Sequence, residues 1–263
     1  MKIRANGIQQ FYQLSGKRDA PVVVLSHSLS SAGVMWGPQL DSLEQDFQVL
    51  RYDVRGHGQS EAPVGEYSLP QLTTDVVELL DALAIDRVHF VGLSMGGMIA
   101  QTLALQNPQR LYSVSLCDTM ARIPQQAQAA WPQRIAAARR DGMPAMADVT
   151  IERWFTPDFI ARKPAILQQI HQQICATSVD GFIGCCHAIS HLDQLQALSS
   201  IALPVLIMVG DRDPATPPAE SAAMHAQISG SQLVTIEGAF HLSNIEQAAG
   251  FNHHLLQFLR QQP

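Results

Sequence analysis

The stretch Gly92-Leu93-Ser94-Met95-Gly96-Gly97 follows the apolar run Val88-His89-Phe90-Val91 and precedes a helical run from Met98 to Leu105. A G-x-S-x-G pattern between a strand and a helix predicts a sharp turn that exposes the serine hydroxyl, with small neighbours required because the backbone there is strained. The helix that starts at the turn offers unpaired N–H groups, that of Met95 among them, to a developing oxyanion. A glycine-rich turn with a helix-capping serine carries the same letters. The strand-turn-helix context is what favours a nucleophile.

Working outward, the flanking sequence repeats this alternation. Asn6-Gly7 between Lys2-Ile3-Arg4 and Ile8 to Tyr12 is a hairpin signal of the primed-turn type. Pro21 to Ser26 is a continuous apolar run suited to a strand covered on both faces, and Phe47 to Asp53 reads as another strand. From Leu69 to Leu83 the residues Leu72, Val76, Leu79, Leu80 and Leu83 form one helical stripe. Strand patterns return at Leu111 to Leu116, Pro204 to Val209 and Gln232 to Ile236, and Phe251 to Leu259 reads as a closing helix. The expected fold is α/β, a mostly parallel central sheet flanked by helices. Between Ile123 and Ser199 the alternation stops and helical spacing takes over, as in Ile166, Ile170 and Ile174. The expected organisation is a core in two parts, 1–122 and 200–263, around a helical cap at 123–199.

Composition narrows the function classes. Of 263 residues 46% are hydrophobic and 15% charged, which excludes disorder as the dominant state. Seventeen basic against 23 acidic residues give a net charge of −6, so nucleic acid is not an expected partner and an anionic substrate needs a local arginine. No apolar run approaches the roughly 20 residues of a membrane-spanning helix. Met1 to Gly7 carries charge without the apolar run of a signal peptide. Cys117, Cys175, Cys185 and Cys186 make no disulfide framework, so a cytoplasmic protein is expected.

A serine nucleophile needs a base and an orienting acid, in the order serine, acid, histidine. Gly210-Asp211-Arg212-Asp213-Pro214 and Gly238-Ala239-Phe240-His241-Leu242 each follow a strand, which brings both loops to the sheet edge that carries Ser94. Asp211 and Asp213 compete for the acid role, the other holding a turn. The loop Ser26-His27-Ser28-Leu29-Ser30 supplies the Leu29 N–H as second oxyanion donor beside Met95. Two further stretches carry metal- or phosphate-like residue types. Cys185-Cys186-His187 with His191 lacks zinc spacing and reads as buried helix packing, so no metal is expected. Arg55-Gly56-His57-Gly58 lacks the ending of a phosphate-binding loop and reads as a shaped loop at the site's rim.

Arg55-Gly56-His57-Gly58-Gln59-Ser60, Gly92 to Gly97, Gly210 to Asp213 and His241 together resemble the α/β-hydrolase superfamily over essentially the whole chain. That resemblance implies Ser94 as nucleophile, Asp213 as acid, His241 as base, and no cofactor. The superfamily's usual His-Gly after the third strand is here His27-Ser28. The added β-carbon tightens the loop and leaves the Leu29 donor intact. Ser26 to Leu29, Trp131-Pro132-Gln133-Arg134-Ile135, Arg153-Trp154-Phe155-Thr156 and Gly181 to Ile189 are more narrowly similar to 3-oxoadipate enol-lactonases, enzymes of aromatic degradation. The resemblance implies a small anionic lactone as substrate. Arg134 and Trp131, three residues apart on one face of a helix expected to start at Pro132, then read as substrate-binding residues, Arg134 as the carboxylate seat, with Trp154 as an apolar wall. The alternative is a surface arginine with tryptophans filling the cap. The triad itself is equally compatible with a general carboxylesterase or a cofactor-free perhydrolase. A non-catalytic ligand-binding homologue would be signalled by a lost triad member, and a dehalogenase by Asp in place of Ser94.

Overall fold

Asn6 and Gly7, with φ of 43° and 77°, turn β1 (Lys2–Ala5) back onto β2 (Ile8–Gly16) so that Ala5 faces Ile8. Both turn residues need positive φ, which is why this pair marks the hairpin. The computed structural model describes all residues, Met1–Pro263. Six more strands follow: β3 (Val22–Ser26), β4 (Gln48–Tyr52), β5 (Val88–Leu93), β6 (Leu111–Cys117), β7 (Val205–Gly210) and β8 (Gln232–Ile236). They form one sheet in the order β1-β2-β4-β3-β5-β6-β7-β8. The two pairs involving β2 are antiparallel and every other pair is parallel. Since β3, β5 and β7 are buried along their whole length, they read as unbroken apolar runs rather than alternating ones.

Helices cover the sheet. α1 (Gly37–Leu43) follows β3, and α2 (Leu69–Ala82) is capped by Ser68 and buries Leu72, Val76, Leu79 and Leu80. α3 (Met95–Gln106) begins immediately after Ser94, three residues before the hydrophobic pattern places it. Gly96 and Gly97 hide that first turn because both are poor helix formers. They stand there for closeness: a Cβ on Gly96 would lie 2.2 Å from the Ser26 carbonyl oxygen, and one on Gly97 2.7 Å from Thr119 Cβ.

Between β6 and β7 lie α4 (Gln125–Gln128), α5 (Ala130–Asp141), α6 (Pro144–Trp154), α7 (Pro157–Arg162), α8 (Pro164–Cys175) and α9 (Val179–Ser190). α5 starts at Ala130, not at Pro132, so the proline sits in its first turn, where a missing N–H costs no intrahelical bond. The two chain crossings that join these helices to the sheet are tied together. Ile123 N–H donates to Leu192 O at 3.0 Å and Gln194 N–H to Ala121 O at 2.7 Å. The chain closes with α10 (Pro218–Gln227), α11 (Ser243–Glu246) and α12 (Ala248–Leu259). No helix is long and apolar enough to cross a membrane. The parallel run brings the loops after β3, β5, β6, β7 and β8 to one edge of the sheet, and the candidate site is there.

Candidate active site

Ser94 sits at the end of β5 with φ 55° and ψ −115°, a conformation unusual for a residue with a side chain. Its backbone is held on both sides. Its N–H donates to Cys117 O at 2.9 Å, and Thr119 Oγ1 donates to its carbonyl at 2.8 Å. The turn closes so tightly that a Cβ on Gly92 would lie 2.1 Å from Gly96 O.

Ser94 Oγ lies 2.9 Å from His241 Nε2, and His241 Nδ1 lies 2.8 Å from Asp213 Oδ2. With the proton on Nδ1, directed at the carboxylate, Nε2 is free to accept from the serine. Asp213 is itself fixed by Thr216 Oγ1, which donates to Oδ2 at 2.6 Å, and by the Ala215 and Thr216 N–H groups, which donate to Oδ1. Burial pushes the Asp213 carboxyl up, but His241 and the Thr216 donors outweigh it and hold it below its ordinary value. Asp211 does not approach His241. It accepts from Ala239 N–H at 3.1 Å and so holds the loop that carries the histidine.

Behind Asp213 lies a carboxylate that the sequence reading passed over. Asp118, at the end of β6 and fully buried, accepts from Gly210 N–H at 2.8 Å and from Ser243 Oγ at 2.5 Å. It therefore ties the acid loop to the histidine loop. Burial, and then the charge of Asp213, push its carboxyl well above the usual range. An acid directly after the strand Leu111–Cys117, at the edge that carries the other loops, was the available signal.

Leu29 N–H has no acceptor within the protein, and Met95, as the first residue of α3, has no intrahelical one. The peptides flanking Leu29 are held by two buried histidines. His27 Nδ1 donates to Ser28 O at 2.8 Å, while Ser30 N–H donates to His57 Nε2 at 3.1 Å. Burial pushes His27 down to about 4 and His57 to about 3, so both rings are neutral near pH 7. Within the loop Arg55 to Gly58, expected at the rim of the site, His57 turns its ring to the oxyanion loop.

Ser94 and His241 line a cavity of about 130 Å³ together with Leu29, Trp131, Arg134 and Trp154. Arg134 Cζ lies 5.0 Å from the centroid of Trp131, one turn away on α5, and 5.9 Å from Phe182 on α9. Arg153 of α6, quoted in the sequence only as part of a resembling segment, lines the same cavity. These two guanidiniums are the only charged side chains among its nineteen lining residues when His241 is neutral, and no Asp or Glu is there. Neither forms an ion pair. Burial lowers the Arg134 pKa, and repulsion from Arg153 adds to that effect. Cys185 and Cys186 are buried in α9 with thiols raised by burial, Cys186 to about 12, which leaves them unreactive.

The chain is similar over nearly its whole length to known proteins. 3-Oxoadipate enol-lactonase 2 of Acinetobacter baylyi is 38% identical over 95% of this chain and 93% of its own length. The crystal structure of an enol-lactonase from Burkholderia xenovorans superposes with a TM-score of 0.96 at 40% identity, covering 99% of this chain and 100% of the other. A thermophilic esterase from Thermogutta terrifontis, solved with malate bound, superposes with a TM-score of 0.94 at 27% identity, over 99% of this chain and 98% of its own. The family model described as alpha/beta hydrolase fold matches residues 21–248. With the sheet order, the turn at Ser94 and a match over most of its length, the chain belongs to the alpha/beta hydrolase fold family.

Proposed function

We propose that this protein is a serine hydrolase that opens 3-oxoadipate enol-lactone to 3-oxoadipate through an acyl-enzyme, in the degradation of aromatic compounds. The observation that carries the reading is a Ser94–His241–Asp213 hydrogen-bond series facing a small cavity lined by cations and no anions. Near full-length similarity to enol-lactonases supports the choice of lactone.

Ser94 Oγ attacks the lactone carbonyl while His241 Nε2 takes its proton, and Asp213 stabilises the imidazolium that forms. The N–H groups of Leu29 and Met95 hold the oxyanion. Collapse expels the ring oxygen as an enolate, a better leaving group than an alkoxide, which tautomerises to the ketone and makes ring opening hard to reverse. Water, deprotonated by His241, then releases the acyl group from Ser94 by the same steps. The free carboxylate of the lactone is bound by Arg134, whose guanidinium is pre-oriented against Trp131, and Trp154 forms an apolar wall. Helices α4–α9, within 123–199, act as a cap on the core formed by 1–122 and 200–263. All four cysteines are unpaired, which suits a reducing compartment such as the cytoplasm.

The test is the ultraviolet loss of enol-lactone, generated in situ from muconolactone by the isomerase, for wild type, Ser94→Ala and Arg134→Ala, with p-nitrophenyl acetate as control. Rapid lactone loss that Ser94→Ala abolishes is expected, with Arg134→Ala lowering lactone turnover at least tenfold more than acetate turnover. Efficient acetate cleavage with negligible lactone loss would overturn the assignment.

A further inference from the structure

A chain of net charge −6 places two unpaired guanidiniums, Arg134 and Arg153, in one small cavity and no acid there. Like charges in a partly desolvated site repel, and such an arrangement is relieved when an anion lies between them. Arg134 Cζ lies over both the Trp131 and the Phe182 rings, contacts that favour its place in the cavity. The cations sit on the helices between β6 and β7, whereas Ser94 and His241 sit on the sheet edge. An anion bound by the arginines therefore lies against the helices between β6 and β7, and the acyl carbon on Ser94 against the sheet edge.

The chemistry of the proposed reaction says which part of a substrate carries that anion. Opening the enol-lactone leaves a linear six-carbon acyl group on Ser94 with a carboxylate at its far end. In the lactone the leaving enolate and the acyl group are one chain, so after ring opening the seat holds the far end of the acyl chain itself. An acyclic half-ester of adipic acid gives the same acyl-enzyme without the keto group.

We propose that Arg134 and Arg153 together seat a carboxylate at the distal end of the acyl chain, so that the enzyme also hydrolyses half-esters of linear dicarboxylic acids of about six carbons, with Arg153 as a specificity-determining residue. This rests on the serine-hydrolase part of the function proposed above and not on the lactone being the substrate. In the first step the Ser94 Oγ–acyl bond forms, the ester C–O bond breaks, and the serine proton passes through His241 to the departing alkoxide. In the second, water adds to the acyl carbon, its proton passes through His241 to Ser94, and the dicarboxylate leaves.

Monomethyl adipate and methyl hexanoate share an ester and a chain length and differ at the terminal carboxylate. Their hydrolysis, followed by proton release at pH 8, is expected to give a kcat/KM ratio of at least ten in favour of the half-ester. Arg153→Met is expected to cut that ratio at least tenfold, and Arg153→Lys to retain most of it. In the unaltered enzyme, adipate is expected to compete with p-nitrophenyl acetate at concentrations at least tenfold below those hexanoate requires. A wild-type ratio near one, a ratio unchanged by Arg153→Met, or equal inhibition by the two acids would overturn the proposal. Enol-lactone turnover measured on the same preparation separates the two claims. Lactone opened with a ratio near one sinks the half-ester activity alone, and a high ratio without lactone opening sinks the lactone alone.

Discussion

Ser94 holds φ 55° with a β-carbon in place, a conformation that costs on the order of 1–3 kcal/mol and is maintained by the bonds from Ser94 N–H to Cys117 O and from Thr119 Oγ1 to Ser94 O. Removing the hydroxyl and removing the strain are separable changes. Ser94→Ala and Ser94→Gly should both lose roughly 10⁴-fold or more in kcat. Thermal unfolding should find Ser94→Gly the more stable of the two by about 1 kcal/mol, because only glycine relieves the positive φ. Equal melting temperatures would mean the turn is not strained. The acid can be assigned by the same kind of comparison. Asp213→Asn should cost about 10⁴-fold in kcat, since the amide favours the wrong tautomer of His241. Asp211→Asn, which touches the Ala239 N–H and not the imidazole, should change it only a few-fold. Residue spacing alone did not distinguish these two aspartates, since both follow the same strand; the superfamily resemblance implied Asp213, and it is the fold of the loop that aims this one at His241.

At the scale of elements, α9 seats on the core through glycines. A Cβ on Gly181 would lie 2.0 Å from Gly56 O and 2.4 Å from Gly56 Cα, and one on Gly184 would lie 2.7 Å from the Tyr67 ring. The first clash is with backbone on both sides, so no side chain can move to relieve it. Gly181→Ala should therefore destabilise the protein by about 1–3 kcal/mol, read as a fall in urea midpoint. It should also lower enol-lactone kcat/KM more than p-nitrophenyl acetate kcat/KM, because Phe182, which flanks Arg134, moves with α9. Unchanged stability, or equal losses on both substrates, would place the contact outside the binding geometry. The Gly181 to Ile189 segment was legible in sequence only as a resemblance, because the reasons for Gly181 and Gly184 lie far along the chain, at Gly56 and Tyr67. The hairpin at Asn6-Gly7 and the buried strands were legible because their causes are local: a positive-φ pair and continuous apolar runs. The start of α3 was not, since the closeness of Gly96 to Ser26 overrides helix propensity. Arg153 was hidden for a similar reason, as nothing in α6 alone says that it faces the cavity shared with Arg134.

For the molecule as a whole, the two histidines under the oxyanion loop link global stability to pH. His27 and His57 are fully buried, and burial holds their pKa values at about 4 and about 3, whereas unfolded imidazoles titrate near 6.5. Below about pH 6.5 the unfolded chain therefore binds protons that the folded chain refuses. The two histidines' share of the unfolding free energy then falls with falling pH, and each histidine contributes until the pH reaches its folded value. One site adds about 1.4 kcal/mol per pH unit to that slope. His89, which burial holds at about 4, adds in the same sense, while the carboxyls of Asp53, Asp75 and Asp118, raised by burial, act in the opposite one. Above pH 6.5 neither His27 nor His57 contributes any dependence. Urea unfolding of wild type and His57→Gln between pH 7.5 and 4.5 isolates the share of His57, since the other groups cancel in the difference; the two curves should run parallel above pH 6.5 and converge or cross below it. His57→Gln keeps an acceptor for the Ser30 N–H while removing one titrating ring, so its decline should be shallower by about 1.4 kcal/mol per pH unit. Because Ser28 and Ser30, the partners of these rings, flank the Leu29 donor, inhibition by a boronic acid that mimics the tetrahedral adduct should weaken in His57→Leu, which offers no acceptor, and largely recover in His57→Gln. A His57→Gln curve parallel to the wild-type curve from pH 6.5 to 4.5 would mean that His57 does not link folding to protonation in this way.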